Sequence, residues 1–106
     1  MSEAERRRAE RVKVNLSARY RPADDPNAPV RNGTIDNISQ GGLLLVGGET
    51  FPAGTRLVIW FDDKDGGHHE ILSDVVRSQA MGGFGVAFAH LPDSTLDYVR
   101  TVLGVA

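Results

Sequence analysis

The chain contains no cysteine, which excludes disulfides, thiolate metal sites and cysteine nucleophiles. It has no excess of positive charge either, since 12 lysines and arginines stand against 14 aspartates and glutamates for a formal net charge of −2. That balance argues against a protein that coats DNA through a generally basic surface. No apolar run approaches the ~18 residues a transmembrane helix needs. No hydrophobic stretch follows the charged N-terminus as a secretory signal requires. The expectation is a cytoplasmic protein without membrane insertion. Internal repeats and low-complexity segments are lacking too. The 106 residues, 41% of them hydrophobic and 25% charged, fit one soluble globular domain with a single core.

Local pattern is therefore the thing to read. Residues 1–11 are polar and charged without apolar periodicity, and read as a flexible basic arm, with helix a candidate over Ala4 to Glu10. From Val12 the pattern becomes strict alternation. Val12, Val14, Leu16, Ala18 and Tyr20 fall on one side and Lys13, Asn15, Ser17 and Arg19 on the other. This is the period-two signature of a half-buried strand. RPADDPNAP, residues 21–29, carries three prolines and predicts a loop. Further strands are expected over Val30–Ile38, Gly42–Val46, the continuous apolar run Leu57–Phe61, about Glu70–Ser78, and 84–88.

The C-terminus changes period. Leu96, Val99 and Leu103 recur at helical spacing with Tyr98 and Val102 beside them, predicting a helix at about 93–103. Ser94 with Asp97 forms a candidate capping box, with Asp93 the alternative cap. About six short strands and one terminal helix predict a mainly β fold, a small six-stranded antiparallel β-barrel over 12–106 with the helix at one opening or flank.

Two motifs stand above this background. Four arginines, Arg6, Arg7, Arg8 and Arg11, crowd the end of the arm, and Arg7 and Arg11 make an RxxxR pattern just before the first strand. About 25 residues later Asn37-Ile38-Ser39-Gln40-Gly41-Gly42 sets an amide, a hydroxyl and two glycines at a strand-to-strand turn. Together they resemble the PilZ domain family, whose paired signatures are RxxxR and [D/N]xSxxG. Arg7 and Arg11 match the first, and Asn37, Ser39 and Gly42 the second. The resemblance runs over nearly the whole chain, since the LLLV strand after the glycines, the GFGVAF strand and the closing helix fall where the family has them.

The resemblance implies a stand-alone bacterial receptor for cyclic di-GMP on a six-stranded barrel with a C-terminal helix. Arginine forks match phosphate oxygens bidentately and stack on purines, so phosphate and guanine contacts are implied for Arg7 and Arg11. Asn37 and Ser39 would form the opposite wall, Asn37 against a guanine edge and Ser39 against base or phosphate. Gly41 and Gly42 would permit turn geometries closed to a Cβ and close backbone approach to the ligand. Family members with an acid at the Asn37 position can accept from guanine N1 and N2 together. Asn37 offers one oxygen, which implies looser selectivity. Asp36 lies one residue early for the motif and takes at most a supporting role. A basic residue before RxxxR is associated in the family with an intercalated pair of ligands. Arg6 holds that position, although Arg6 and Arg8 could equally act only by raising the local potential. The implied mechanism is ordering of the arm on the barrel, sensed by a downstream protein partner.

Other chemistry is thinly supported. DDKDGGHHE gathers acids and histidines, but Phe61 occupies the first ligand position of a calcium loop. Adjacent His68 and His69 point to opposite faces of a strand, so a polar hairpin tip without metal is expected. Trp60, Phe61, Phe84 and Phe88 are read as core, and Arg77, which ends the fifth strand and could approach the ligand, as surface. Ser39 has no histidine nearby and no glycine elbow or paired acid motif accompanies it, so no enzyme and no cofactor are expected. The rival readings are a PilZ-like interaction module that binds no nucleotide, and a small nucleic-acid-binding barrel with a basic arm.

Overall fold

The computed structural model describes residues 11–47, 50–78 and 82–104. The expected arm therefore lies, except for Arg11, outside the described residues. Among the described residues lie six strands, β1 (Val12–Pro22), β2 (Arg31–Ile38), β3 (Gly42–Val46), β4 (Arg56–Asp62), β5 (His68–Ser78) and β6 (Phe84–His90). They close into an antiparallel barrel in the order β1-β2-β3-β6-β5-β4, and the helix α1 (Asp93–Leu103) follows. Among the described residues no helix is long and apolar enough to cross a membrane.

Alternation in β1 becomes burial directly. Val14, Leu16, Ala18 and Tyr20 are buried, while Lys13, Asn15, Ser17 and Arg19 are exposed. The strand continues two residues past Tyr20, because Arg21 and Pro22 pair with Val58 and Leu57 of β4 and close the barrel. The interior holds Ile35, Ile38, Leu43, Leu45, Leu57, Ile59, Ile71, Val75 and Phe84, all at most 2% exposed. Tyr20, Phe84 and Phe51 meet edge to face with centroids 5.4–6.0 Å apart, a favoured aromatic geometry. Phe51 comes from the glycine-rich segment between β3 and β4, where no periodicity marks it as core.

Trp60 is not core. Leu57, Ile59 and Phe61 point inward, so the two-residue period turns Trp60 out. There its indole N–H donates to a Glu70 carboxylate oxygen at 2.6 Å, and Arg21 lies over the ring at 5.5 Å. The apolar run LVIWF concealed this, since an uninterrupted run carries no alternation to read.

The helix docks largely by the expected face, with Val99 buried and Leu103 packed against the core, but Thr95 takes the inward place expected of Leu96. Thr95 and Val99 are its buried residues, flanked by Tyr98 and Val102. Pro92 occupies the N-cap with no side-chain cap bond, so neither Ser94 nor Asp93 caps; both lie within the first turn. Asp93 there complements the helix dipole. Gly104, at φ 75°, ends the helix in the left-handed conformation, its N–H returning to the Thr101 carbonyl.

His68 and His69 do diverge, His68 outward and His69 inward. His69 is the clasp between hairpin and helix. Its Nδ1 lies 2.8 Å from Thr95 Oγ1 and its Nε2 2.8 Å from Asp63 Oδ2. Its ring stacks on Phe61 at 4.8 Å and adjoins Tyr98 at 5.0 Å. Asp63 also accepts from the backbone N–H groups of Gly67 and Asp65. Its carboxyl is held below the usual carboxylate range, first by His69 and then by Gly67. Among the described residues no three histidine or acidic side chains group as metal ligands.

Thr95→Val keeps the shape but strands a buried imidazole nitrogen. It is expected to cost about 1–3 kcal/mol in urea unfolding. Because the Asp63 pKa is lowered on folding, its contribution is full above the unfolded value of about 4 and fades as pH falls. The stability gap between wild type and Asp63→Asn should therefore narrow below about pH 4, as measured by denaturation at a series of pH values.

Candidate functional site

Two strand irregularities build one polar corner. Lys13 pairs with Asn37 and Leu16 with Ile35, so two residues of β1, Val14 and Asn15, face one residue of β2. Asn15 accommodates this bulge at φ 55°, the one non-glycine residue with positive φ among the described residues. Asparagine tolerates that conformation better than most residues. Between β2 and β3 the surplus residue is Asp36, since Ile35 pairs with Leu45 and Asn37 with Leu44. A bulge breaks alternation and re-aims side chains. Ile35 and Ile38 are both buried, and the consecutive Asp36 and Asn37 both face outward.

Arg11 stands just before β1, and its Nη1 donates to Asn37 Oδ1 at 2.9 Å. Asn37 Nδ2 donates to Asp36 Oδ2 at 2.9 Å, and Lys13 Nζ donates to Asp36 Oδ1 at 3.0 Å. Four side chains thus form one chain of hydrogen bonds across β1 and β2. The hydrogen bond from Asn37, then the one from Lys13, holds the Asp36 carboxyl below its ordinary pKa.

The turn that follows is pinned from within. Ser39 donates to the Gly42 carbonyl through its backbone N–H at 2.8 Å and its hydroxyl at 3.2 Å, while Phe88 N–H of β6 donates to the Gly41 carbonyl. The two glycines differ from each other. Neither adopts a positive φ. A Cβ on Gly42 would lie 1.9 Å from the Val86 carbonyl oxygen, so Gly42 is set by the close approach of β3 to β6. A Cβ on Gly41 would meet nothing within 4 Å.

A cleft of about 370 Å³ opens beside this turn, with Arg11, Ser39 and Gly41 on one side and Val76, Arg77 and Gly85 on the other. It falls toward the small end of ligand sites, which commonly span about 300–1,000 Å³. Arg77 is exposed, as expected, and also lines the cleft. Another slip explains its place, because Val75 pairs with Val86 but Arg77 with Gly85. Without that bulge Arg77 would follow Val75 into the interior; with it Val76 and Arg77 both face out. Arg77 makes no ion pair among the described residues. A wider groove of about 640 Å³ crosses the outer face near Arg19, Trp60 and His68. It contains no residue of either motif, and the smaller cleft is the better candidate.

The corner thus brings together Arg11, Asp36 and Asn37, and the adjoining cleft Arg11, Ser39, Gly41 and Gly42. Arg6, Arg7 and Arg8 lie outside the described residues. Arg77 is the residue sequence reading undervalued.

A family model described as the PilZ domain matches residues 5–103. No curated protein sequence matches the chain significantly. Among solved structures, the inhibitor of motility MotI/DgrA of Bacillus subtilis is similar with a TM-score of 0.71 at 14% identity, covering 88% of this chain and 47% of that one. The chain thus corresponds to about half of that protein. The PilZ domain of CeSA from a cellulose-synthesising bacterium gives 0.66 at 16% identity, with 91% and 97% covered. PlzA of Borreliella burgdorferi, solved in complex with c-di-GMP, gives 0.67 at 16% identity, with 89% and 39% covered. At these identities the likeness concerns the fold.

Gly42→Ala forces a methyl group against the backbone of β6, and is expected to lower stability by about 1–3 kcal/mol or more. Gly41→Ala should unfold within about 0.5 kcal/mol of wild type. Parallel urea titrations followed by circular dichroism check the contrast.

Proposed function

The chain belongs to the PilZ domain family, and from that premise we propose that it is a bacterial receptor for cyclic di-GMP that signals to a protein partner. The observation that carries the reading is the Arg11–Asn37 hydrogen bond. It puts a residue of RxxxR in contact with a residue of the second motif, beside a cleft that also presents Arg77. The PlzA complex supports the choice of ligand.

Cyclic di-GMP offers two phosphodiesters and two guanines. Arg7, Arg11 and Arg77 supply guanidinium groups for phosphate oxygens and for stacking or hydrogen bonding to guanine. Asn37 takes a guanine edge, and the Ser39 hydroxyl rotates from its long bond with Gly42 toward base or phosphate. Arg11 leaves Asn37 Oδ1 for a phosphate, so the ligand exchanges an internal hydrogen bond for a charge-assisted one. Arg6 adds a second, intercalated ligand, with Arg8 contributing potential. Binding draws residues 1–11 onto the cleft, and the altered surface is what the partner senses. The site binds and does not catalyse.

Calorimetric titration with cyclic di-GMP, with the linear dinucleotide as control, tests the reading. Arg11→Ala and Arg77→Ala should each weaken binding by about 1.5–3 kcal/mol, roughly ten- to a hundredfold. Unchanged affinity in both variants refutes the site, and no binding to wild type refutes the receptor. A stoichiometry of one ligand per chain refutes the role given to Arg6.

A further inference from the structure

Asparagine is an ambiguous choice for reading a base, because its amide presents an acceptor in one orientation and a donor in the other. Asn37 is not left free to choose. A guanidinium can only donate and an ionised carboxylate can only accept. Arg11 Nη1 on one side and Asp36 Oδ2 on the other, each at 2.9 Å, therefore require the same orientation. The reverse would set amide hydrogens against Arg11 and the amide oxygen against Asp36. Lys13, on the second oxygen of Asp36 at 3.0 Å, keeps that carboxylate in place. Asp36, its carboxyl held below the ordinary range by the bonds from Asn37 and then Lys13, is ionised and so an acceptor at neutral pH.

We infer that Asp36 is the positioning residue that sets guanine selectivity, by locking the Asn37 amide with its oxygen toward the ligand. The inference rests on the receptor reading above and gives Asp36 a role that the motif does not. Arg11 holds Asn37 only until a phosphate draws it away, and from then on Asp36 alone fixes the amide. The presented oxygen accepts from guanine N1–H or N2–H. Adenine in the same place offers the N1 acceptor, so two lone pairs face each other. An unlocked amide would turn its Nδ2–H group to adenine and lose the distinction. The pair Asp36–Asn37 thus does the work of a single carboxylate. The same pairing disfavours a second carboxylate in place of the Asn37 amide, since two like charges would then stand side by side.

The test is a set of titrations with cyclic di-GMP and cyclic di-AMP on wild type, Asp36→Ala, Asn37→Asp and the double variant. The readout is the ratio of the two dissociation constants, which a merely structural defect would leave unchanged. Asp36→Ala should lower the preference for guanine ~10-fold, the value of one base-reading contact. Asp36→Asn, which preserves shape if alanine unfolds the bulge, should lower it less. Asn37→Asp alone should weaken binding. Adding Asn37→Asp to Asp36→Ala should restore the preference, since a carboxylate needs no orienting. A preference unchanged in the folded Asp36 variants, or not restored in the double variant, overturns the inference while leaving the receptor intact. Failure of wild type to bind either dinucleotide is failure of the receptor reading itself. The lock is then judged without ligand from the Asn37 side-chain amide proton resonances, which should shift in Asp36→Ala and overturn the inference if they do not.

Discussion

Strand β1 has to satisfy two neighbours at once. Its residues from Val12 to Tyr20 pair with β2, and Ala18 to Pro22 pair with β4. At 11 residues it is long enough to do both, and the barrel closes because it does. The inward row from Val14 to Tyr20 lines the core along this length, and Tyr20 reaches the aromatic cluster with Phe51 and Phe84. Arg11 stands just before this strand and Lys13 near its start, so closure of the sheet and placement of the polar corner's cations are one constraint.

Alternation made most of this fold readable, and breaks in alternation account for most of what was not. β1 shows its core face residue by residue, and the barrel with its closing helix follows from strand spacing. Bulges leave no mark in composition. Nothing in Val75-Val76-Arg77 says that the strand slips against β6 and turns Arg77 outward, and nothing in Ile35-Asp36-Asn37 says that two consecutive polar residues share a face. Trp60 was obscured for the opposite reason, in a run whose residues are all apolar. On the helix, Thr95 rather than Leu96 faces the barrel, because His69 needs a hydroxyl there and a periodicity count values only apolar residues.

The candidate site was legible as a list of residue types and illegible as a geometry. The family resemblance set Arg11 opposite the turn around Asn37, and in the structure Arg11 Nη1 donates to Asn37 Oδ1 at 2.9 Å. It could not say that Asp36 would carry the Asn37 amide, because that depends on two bulges falling side by side. The glycines show the same division. Gly42 looked like a turn residue and is also a point where the backbone of β6 leaves no room for a Cβ, a long-range constraint invisible to local pattern.

Closure also limits how such a molecule can be recognised. Among the described residues each of the six strands pairs with a neighbour on both sides over part of its length, so no whole strand is left as a free edge on which another protein could build. Attachment by main chain is tolerant of sequence; attachment by side chains is not. A protein that docked across the paired stretches would have to read outward side chains, and a few substitutions there would change the fit while leaving the interior untouched. The geometry that makes the scaffold stable is thus also what leaves its allegiances free to change.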